Sequence, residues 1–133
     1  MKYLGINITH DVNWDDHIGS VCTRANRALG FLRRNLKISD SRIKDRAYKA
    51  FVRPLLEYSA SVWDQKNIDR LEAVQRRAAR FVLNRYRNTS SVSGMLASLG
   101  WLTLEKRRQT TRLSMLFKIQ NNLVQCPNLR AKL

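Results

Sequence analysis

Apolar positions change period once along this chain. Lys2–Ile8, KYLGINI, is short, rich in apolar and β-branched residues and broken by Gly5, the pattern of a single strand. One strand cannot pair with itself, so it is expected to need a partner from elsewhere. Beyond it the period becomes helical. Trp14, Ile18, Val21, Cys22, Ala25, Ala28, Leu29 and Leu32 recur on one face, predicting a first helix from Trp14 to Asn35 with Asn13 as its cap. Asp15 and Asp16 fall in its first turn, where acids suit the helix dipole.

A second helix is predicted from Ser41 to Trp63. Its latter half, AFVRPLLEYSASVW, is apolar over most of its circumference, as expected of the central helix of a bundle, and Pro54 should kink it. A third runs from an Asn67 cap to Asn84, with Ile68, Leu71, Val74, Ala78, Phe81 and Val82 facing one way. SVSGMLASLG predicts a short fourth helix closed by Gly100. Thr103 should cap a fifth helix reaching Asn122, with Leu104, Met115, Leu116, Ile119 and Leu123 inward. The expected fold class is mainly α, a five-helix bundle preceded by one short β-strand. Residues 1–10 form the orphan strand, 11–124 the bundle and 125–133 a frayed tail. Trp14 and Trp63 are expected to be buried.

Charge changes this picture. The 133 residues carry 25 Lys and Arg against 10 Asp and Glu, a formal net charge of +15. Such an imbalance says nothing about fold but favours a polyanionic partner, either nucleic acid or a membrane surface. No apolar run approaches the length of a membrane span, and no signal-peptide pattern opens the chain, so an intracellular setting, nucleus or cytoplasm, is expected and secretion is not. Cys22 and Cys126 match no C-x-x-C spacing and read as free thiols, the first in the core and the second in the tail.

The charge is also patterned. Arg42, Arg46, Lys49 and Arg53 form a continuous basic stripe along the second helix. On the third, Arg76, Arg77 and Arg80 fall opposite the apolar stripe, so replacing them should leave the bundle folded. Arg85 and Arg87 follow. Arginine's planar fork suits phosphate oxygens, and two rows with few compensating acids point to nucleic-acid backbone contact. Tyr86 lies between two arginines and can either stack on a base or sugar or cover the bundle's end; both readings stay open.

Several segments together resemble a known family. KYLGI, followed by Trp14 and His17–Ile18, then RANRALGFLRRNLK, AYKAFVRPLLEYSASVWD, LEAVQRRAARFVLNRYR and SLGWLTLEKRR, is similar in order to the region after the palm in reverse transcriptases of non-LTR (LINE-type, jockey-like) retrotransposons. The similarity spans about Lys2 to Val124. It implies that the strand closes a palm near the primer grip, and that the helices form a thumb and the start of a C-terminal extension. The thumb would hold a template–primer duplex by its backbone. The family's catalytic palm aspartates hold two divalent metals and precede the YLG strand. The resemblance therefore implies a truncated piece of an RNA-directed DNA polymerase without polymerase activity of its own, with a missing palm as a partner at the strand.

No other chemistry is evident from spacing. Asp15 and Asp16 read as first-turn acids rather than a metal pair, and His10 and His17 have no plausible metal partners. No nucleophile–base set, cofactor site, metal site or small-molecule substrate site is expected. Two rival readings remain: an independent basic helical nucleic-acid-binding regulator, which would need side chains presented to base edges, and a basic amphipathic membrane-surface binder.

Overall fold

The computed structural model describes residues 2–3, 6–7, 14–58, 68–87 and 91–124. Asn13, Trp63, Asn67 and the tail from residue 125, Cys126 included, lie outside the described residues, as does His10. The protein is mainly helical. Two short strands, β1 (Lys2–Tyr3) and β2 (Ile6–Asn7), precede α1 (Asp15–Asn35), α2 (Ser41–Phe51), α3 (Arg53–Glu57), α4 (Ile68–Leu83), α5 (Val92–Leu99) and α6 (Leu104–Gln120).

The expected single orphan strand is not what forms. β1 and β2 pair with each other, antiparallel, in the register Lys2↔Asn7 and Tyr3↔Ile6. The strand's pairing partner is therefore supplied within the chain. Ile6 is buried, and β2 touches α1.

Helix α1 buries the face its periodicity predicts, with Ile18, Val21, Cys22, Ala25, Leu29 and Leu32 inward, and adds His17. Its N-cap is Trp14, without a side-chain cap bond, and Trp14 is half-buried against the core. Cys22 is a buried free thiol, and burial pushes its pKa up. The second predicted helix divides into α2 and α3 at Val52. Pro54 sits in the first turn of α3, where its missing N–H costs least, and its ring disfavours a straight continuation.

The centre of the bundle is α4, not the second predicted helix. α4 packs against α1, α2, α5 and α6. Leu71, Val74, Ala78, Ala79, Phe81 and Val82 are all buried, and so is Gln75. Gln75 donates from Nε2 to the Leu102 carbonyl at 3.0 Å, and the Glu72 carboxylate accepts from the Glu105 backbone N–H at 3.0 Å. These two side chains of α4 hold the α5–α6 connection in place. Gly100 closes α5 at a left-handed φ of 64°, and the Thr103 hydroxyl caps α6 by accepting from the Lys106 N–H.

Trp101, in that connection, stacks on Tyr48 of α2 with ring centroids 4.2 Å apart and donates Nε1–H to Asp45 at 2.7 Å. The other Asp45 oxygen accepts from Lys49 at 2.7 Å. Glu57 of α3 grips Arg107 of α6 through two hydrogen bonds, which raises the guanidinium pKa further. The far half of α6 departs from expectation. Leu104 and Ile119 are buried, but Met115, Leu116 and Leu123 are exposed, as are Leu113 and Phe117. Met115, Leu116 and Ile119 share a face with Leu104, but α6 packs chiefly on α4 and its far half extends beyond the core cluster, so Met115 and Leu116 stay exposed.

Two outcomes follow from this packing. Tyr48 is fully buried, and its hydroxyl finds no hydrogen-bond partner among the described residues. Tyr48→Phe should change stability by less than about 0.5 kcal/mol in urea unfolding, whereas Tyr48→Ala should cost about 3–5 kcal/mol, as for other large buried aromatics. A substantial destabilisation in the phenylalanine variant would mean that the hydroxyl is bonded. Asp40 caps α2, and its pKa is held below the usual carboxylate range, first by the Arg42 backbone N–H and then by the Arg42 side chain. A lowered folded pKa means that this stabilisation is complete above the ordinary value of about 3.9 and fades as pH falls through the folded one. In an NMR pH titration the Arg42 amide should report a midpoint below about 3.9; a midpoint at or above that value would mean that the cap is not formed.

Candidate nucleic-acid interface

The cations predicted to touch phosphate do not share one surface. Arg42 and Arg46 are exposed on the outer side of α2, beside a shallow depression that also includes Asp40 and Ile43. Arg42 reaches Asp40 at 3.3 Å with its own side chain 88% exposed. A pair so open to water is worth little, so a phosphate can compete for this arginine.

Lys49 and Arg53 turn the other way. Both are half-buried and line a pocket of about 130 Å³ with Tyr48, Gln75, Trp101 and Arg107. Lys49 is already paired with Asp45. The stripe is continuous in sequence, but α2 buries Lys44, Tyr48 and Val52, and the lower half of the stripe is drawn into the packing beside them. This corrects the expectation of one open row.

The α4 arginines need a similar correction. Arg77 is exposed and donates from Nη1 to the Asn26 side chain of α1 at 3.0 Å. Arg76 and Arg80 do not point freely away from the core. Both are half-buried, and the Arg80 Nε is enclosed without a hydrogen-bond partner among the described residues. The physical reason is the central position of α4: a helix packed by four neighbours has little open face, so long side chains lay their stems along apolar surface.

Arg85 and Arg87 are exposed where α4 has ended. Asn84 takes a left-handed φ of 53°, and the Arg85 N–H returns to the Arg80 carbonyl at 3.0 Å, so the chain turns back over the end of the helix. Tyr86 then lies beneath the Arg33 guanidinium of α1, which is 5.4 Å from the ring centroid. Of the two readings of Tyr86, the ring does reach the bundle's end, yet half of it stays exposed.

This turn brings together residues that helical spacing did not single out. Arg33 and Lys37 from the end of α1, Lys44 from α2, and Phe81, Asn84 and Tyr86 from the end of α4 line a cleft of about 310 Å³. Lys44 is only 6% exposed. Its ammonium reaches the Phe81 carbonyl at 3.5 Å and lies 5.0 Å from the Phe81 ring centroid. The sequence signal for Lys44 is its i, i+4 spacing from Tyr48, which puts both on one face of the helix. Arg33 and Lys37 gave no comparable signal, because the meeting of α1 with α4 depends on tertiary packing.

Among the described residues no group of His, Cys, Asp or Glu is arranged to hold a metal ion, and no helix is long and apolar enough to cross a membrane.

The burial of Arg80 separates it from its neighbour. Arg80→Leu, which keeps the apolar stem and removes the enclosed Nε, should leave stability equal or raised, and Arg80→Asp should destabilise by more than about 2 kcal/mol by burying an opposite, unpartnered charge. Arg77→Gln should stay within about 0.5 kcal/mol of wild type. Urea unfolding of the three variants checks this, and a near-neutral Arg80→Asp would show that the side chain is solvated after all.

No protein-family model, curated protein or solved structure matches this chain.

Proposed function

We propose that this chain is a thumb-like helical element that binds nucleic-acid phosphate backbone without sequence specificity, related to the post-palm region of non-LTR retrotransposon reverse transcriptases. The observation that carries the reading is the convergence of cations where α1 ends, α2 begins and α4 ends. Arg33, Lys37 and Lys44 line one cleft, Arg42 and Arg46 border the next depression on α2, and Arg85 and Arg87 flank Tyr86. Asp40 is the one carboxylate among the described residues lining either hollow.

In this reading the surface acts by charge and shape. Guanidinium and ammonium groups replace counter-ions on the phosphates, and the released ions supply much of the binding free energy. Arg42 exchanges a weak pair with Asp40 for a phosphate oxygen, while the half-buried Arg53, Arg76 and Arg80 contribute a more distant positive field. The partner surface in this reading is the basic end of the bundle. The chain by itself contributes grip and no nucleotide chemistry.

Binding to an RNA–DNA hybrid should therefore fall steeply with salt and vary little with sequence. Replacing Arg42, Arg46, Arg85 and Arg87 by Gln should leave the fold intact and make the log–log salt slope shallower, by roughly one unit for each phosphate no longer neutralised. Equal slopes for the variant and wild type, both folded, would remove these arginines from the interface. A sequence-dependent footprint would favour the regulator reading. Stronger binding to anionic vesicles than to duplex would favour the membrane-surface reading, which the exposed Leu113, Leu116 and Phe117 of α6 support. Primer extension on a primed RNA template with Mg²⁺ or Mn²⁺ should give no product above a protein-free control, and metal-dependent incorporation would contradict the proposal.

A further inference from the structure

Nothing in a rigid duplex backbone explains the cleft between Tyr86 and Lys44. Lys44 carries an ammonium with three donors, yet its one hydrogen bond among the described residues is the 3.5 Å contact to the Phe81 carbonyl. That contact compensates the C-terminal end of α4 and leaves donor capacity unused. Among the described residues no carboxylate lines the cleft, although Arg33 and Lys37 add two further positive charges to it. A buried ammonium with so little compensation calls for an anion beside it. Tyr86 supplies the second half of the site. Its ring already accepts a planar group, the Arg33 guanidinium, and half of its surface is open. The volume of about 310 Å³ lies at the small end of pockets that hold ligands, roughly 300–1,000 Å³.

We infer that this cleft seats one unpaired nucleotide of a nucleic-acid strand, with its phosphate among Arg33, Lys37 and Lys44 and its base stacked on Tyr86. The inference rests on the reading that the basic end of the bundle binds nucleic acid, and it deepens that reading from duplex backbone to a duplex with a single-stranded extension. A base paired inside the duplex cannot stack on the ring, because both of its faces are covered by its neighbours, whereas an unpaired base has a face to give. When the base enters, Arg33 gives up its place over the ring and turns to the phosphate, for which its planar fork is the better match. Asn84, also lining the cleft, offers an amide to the base edge but no bidentate clamp, so every base should be accepted.

The test uses fluorescence anisotropy on the full chain with five probes: a blunt RNA–DNA hybrid, the same hybrid with a short unpaired DNA or RNA extension, and each extension made abasic. The hybrid with a base-bearing extension should bind at least about fivefold more tightly than its abasic counterpart, the low end of the effect of one base–aromatic stack. Tyr86→Ala should abolish that difference while leaving blunt-hybrid affinity within about twofold, and Tyr86→Phe should restore it. Arg33→Gln should weaken binding of both extended probes. Because Arg33 and Tyr86 are exposed, these variants should keep the wild-type circular dichroism, which Lys44→Met need not. Equal affinity for base-bearing and abasic extensions, or a Tyr86→Ala weakening that falls equally on the blunt hybrid, would overturn the seat. If wild type ignores the blunt hybrid yet still prefers base-bearing to abasic single strands through Tyr86, the seat stands and the duplex reading falls. A preference confined to the RNA or the DNA extension identifies which strand is seated.

Discussion

Helix α4 packs against four other helices, and that constraint bears on where the positive charge of this chain can go. Its buried face from Leu71 to Val82 closes the core, and Gln75 and Glu72 on the same helix anchor the connection that leads into α6. Arginines placed on such a helix cannot all be solvated. Arg76 and Arg80 are drawn partly inside, Arg77 is exposed but held to Asn26 of α1, and Arg85 and Arg87 are open beyond the helix end at Leu83. The same rule acts on α2, where Tyr48 turns inward and takes Lys49 and Arg53 toward the pocket beside it.

Charge therefore accumulates where the helices stop. The ends of α1 and α4 meet the beginning of α2, and each contributes long cationic side chains that no packing partner covers completely. Helix C-termini carry exposed carbonyls and a partial negative charge, which favours cations there. Lys44 beside the Phe81 carbonyl and Arg33 and Arg34 in the last turn of α1 are instances of that preference. With 25 cationic against 10 acidic side chains, these carbonyls neutralise only a small part of the total, and the remaining field is directed outward. Such a surface attracts polyanions strongly and discriminates between them weakly.

Much of the bundle could be read from the sequence. The inward face of α1, the Pro54 break, Gly100 at the end of α5 and Thr103 at the start of α6 each express a local rule: helical period, a missing donor, a left-handed cap or a hydroxyl acceptor. Where tertiary packing overrides local pattern, the reading departs from the structure. The single apolar run read as one strand holds two short strands paired with each other. In α6, Leu104, Met115, Leu116 and Ile119 do share a face, but the helix packs chiefly on α4 and its far half lies beyond the core cluster, which a single-helix pattern cannot show. Of the candidate interface, Arg42, Arg46, Arg85 and Arg87 sit on open surface as their spacing suggests, while Arg76 and Arg80 do not, since a wheel drawn for one helix cannot show how many neighbours surround it. The cleft formed by Arg33, Lys37, Lys44 and Tyr86 joins four points from three helix ends, and no single-helix pattern contains it.

The proposed function places nucleic acid across this basic end and not along the length of the bundle. Titrating an RNA–DNA hybrid into the isotopically labelled chain, while following backbone amide and arginine Nε–H resonances, separates the two placements. Shifts should concentrate in residues 33–46 and 84–87, with the amides of α5 and the far half of α6 nearly unmoved. Shifts of equal size over all helices, or centred on the exposed apolar residues of α6, would rule out the basic end as the binding surface.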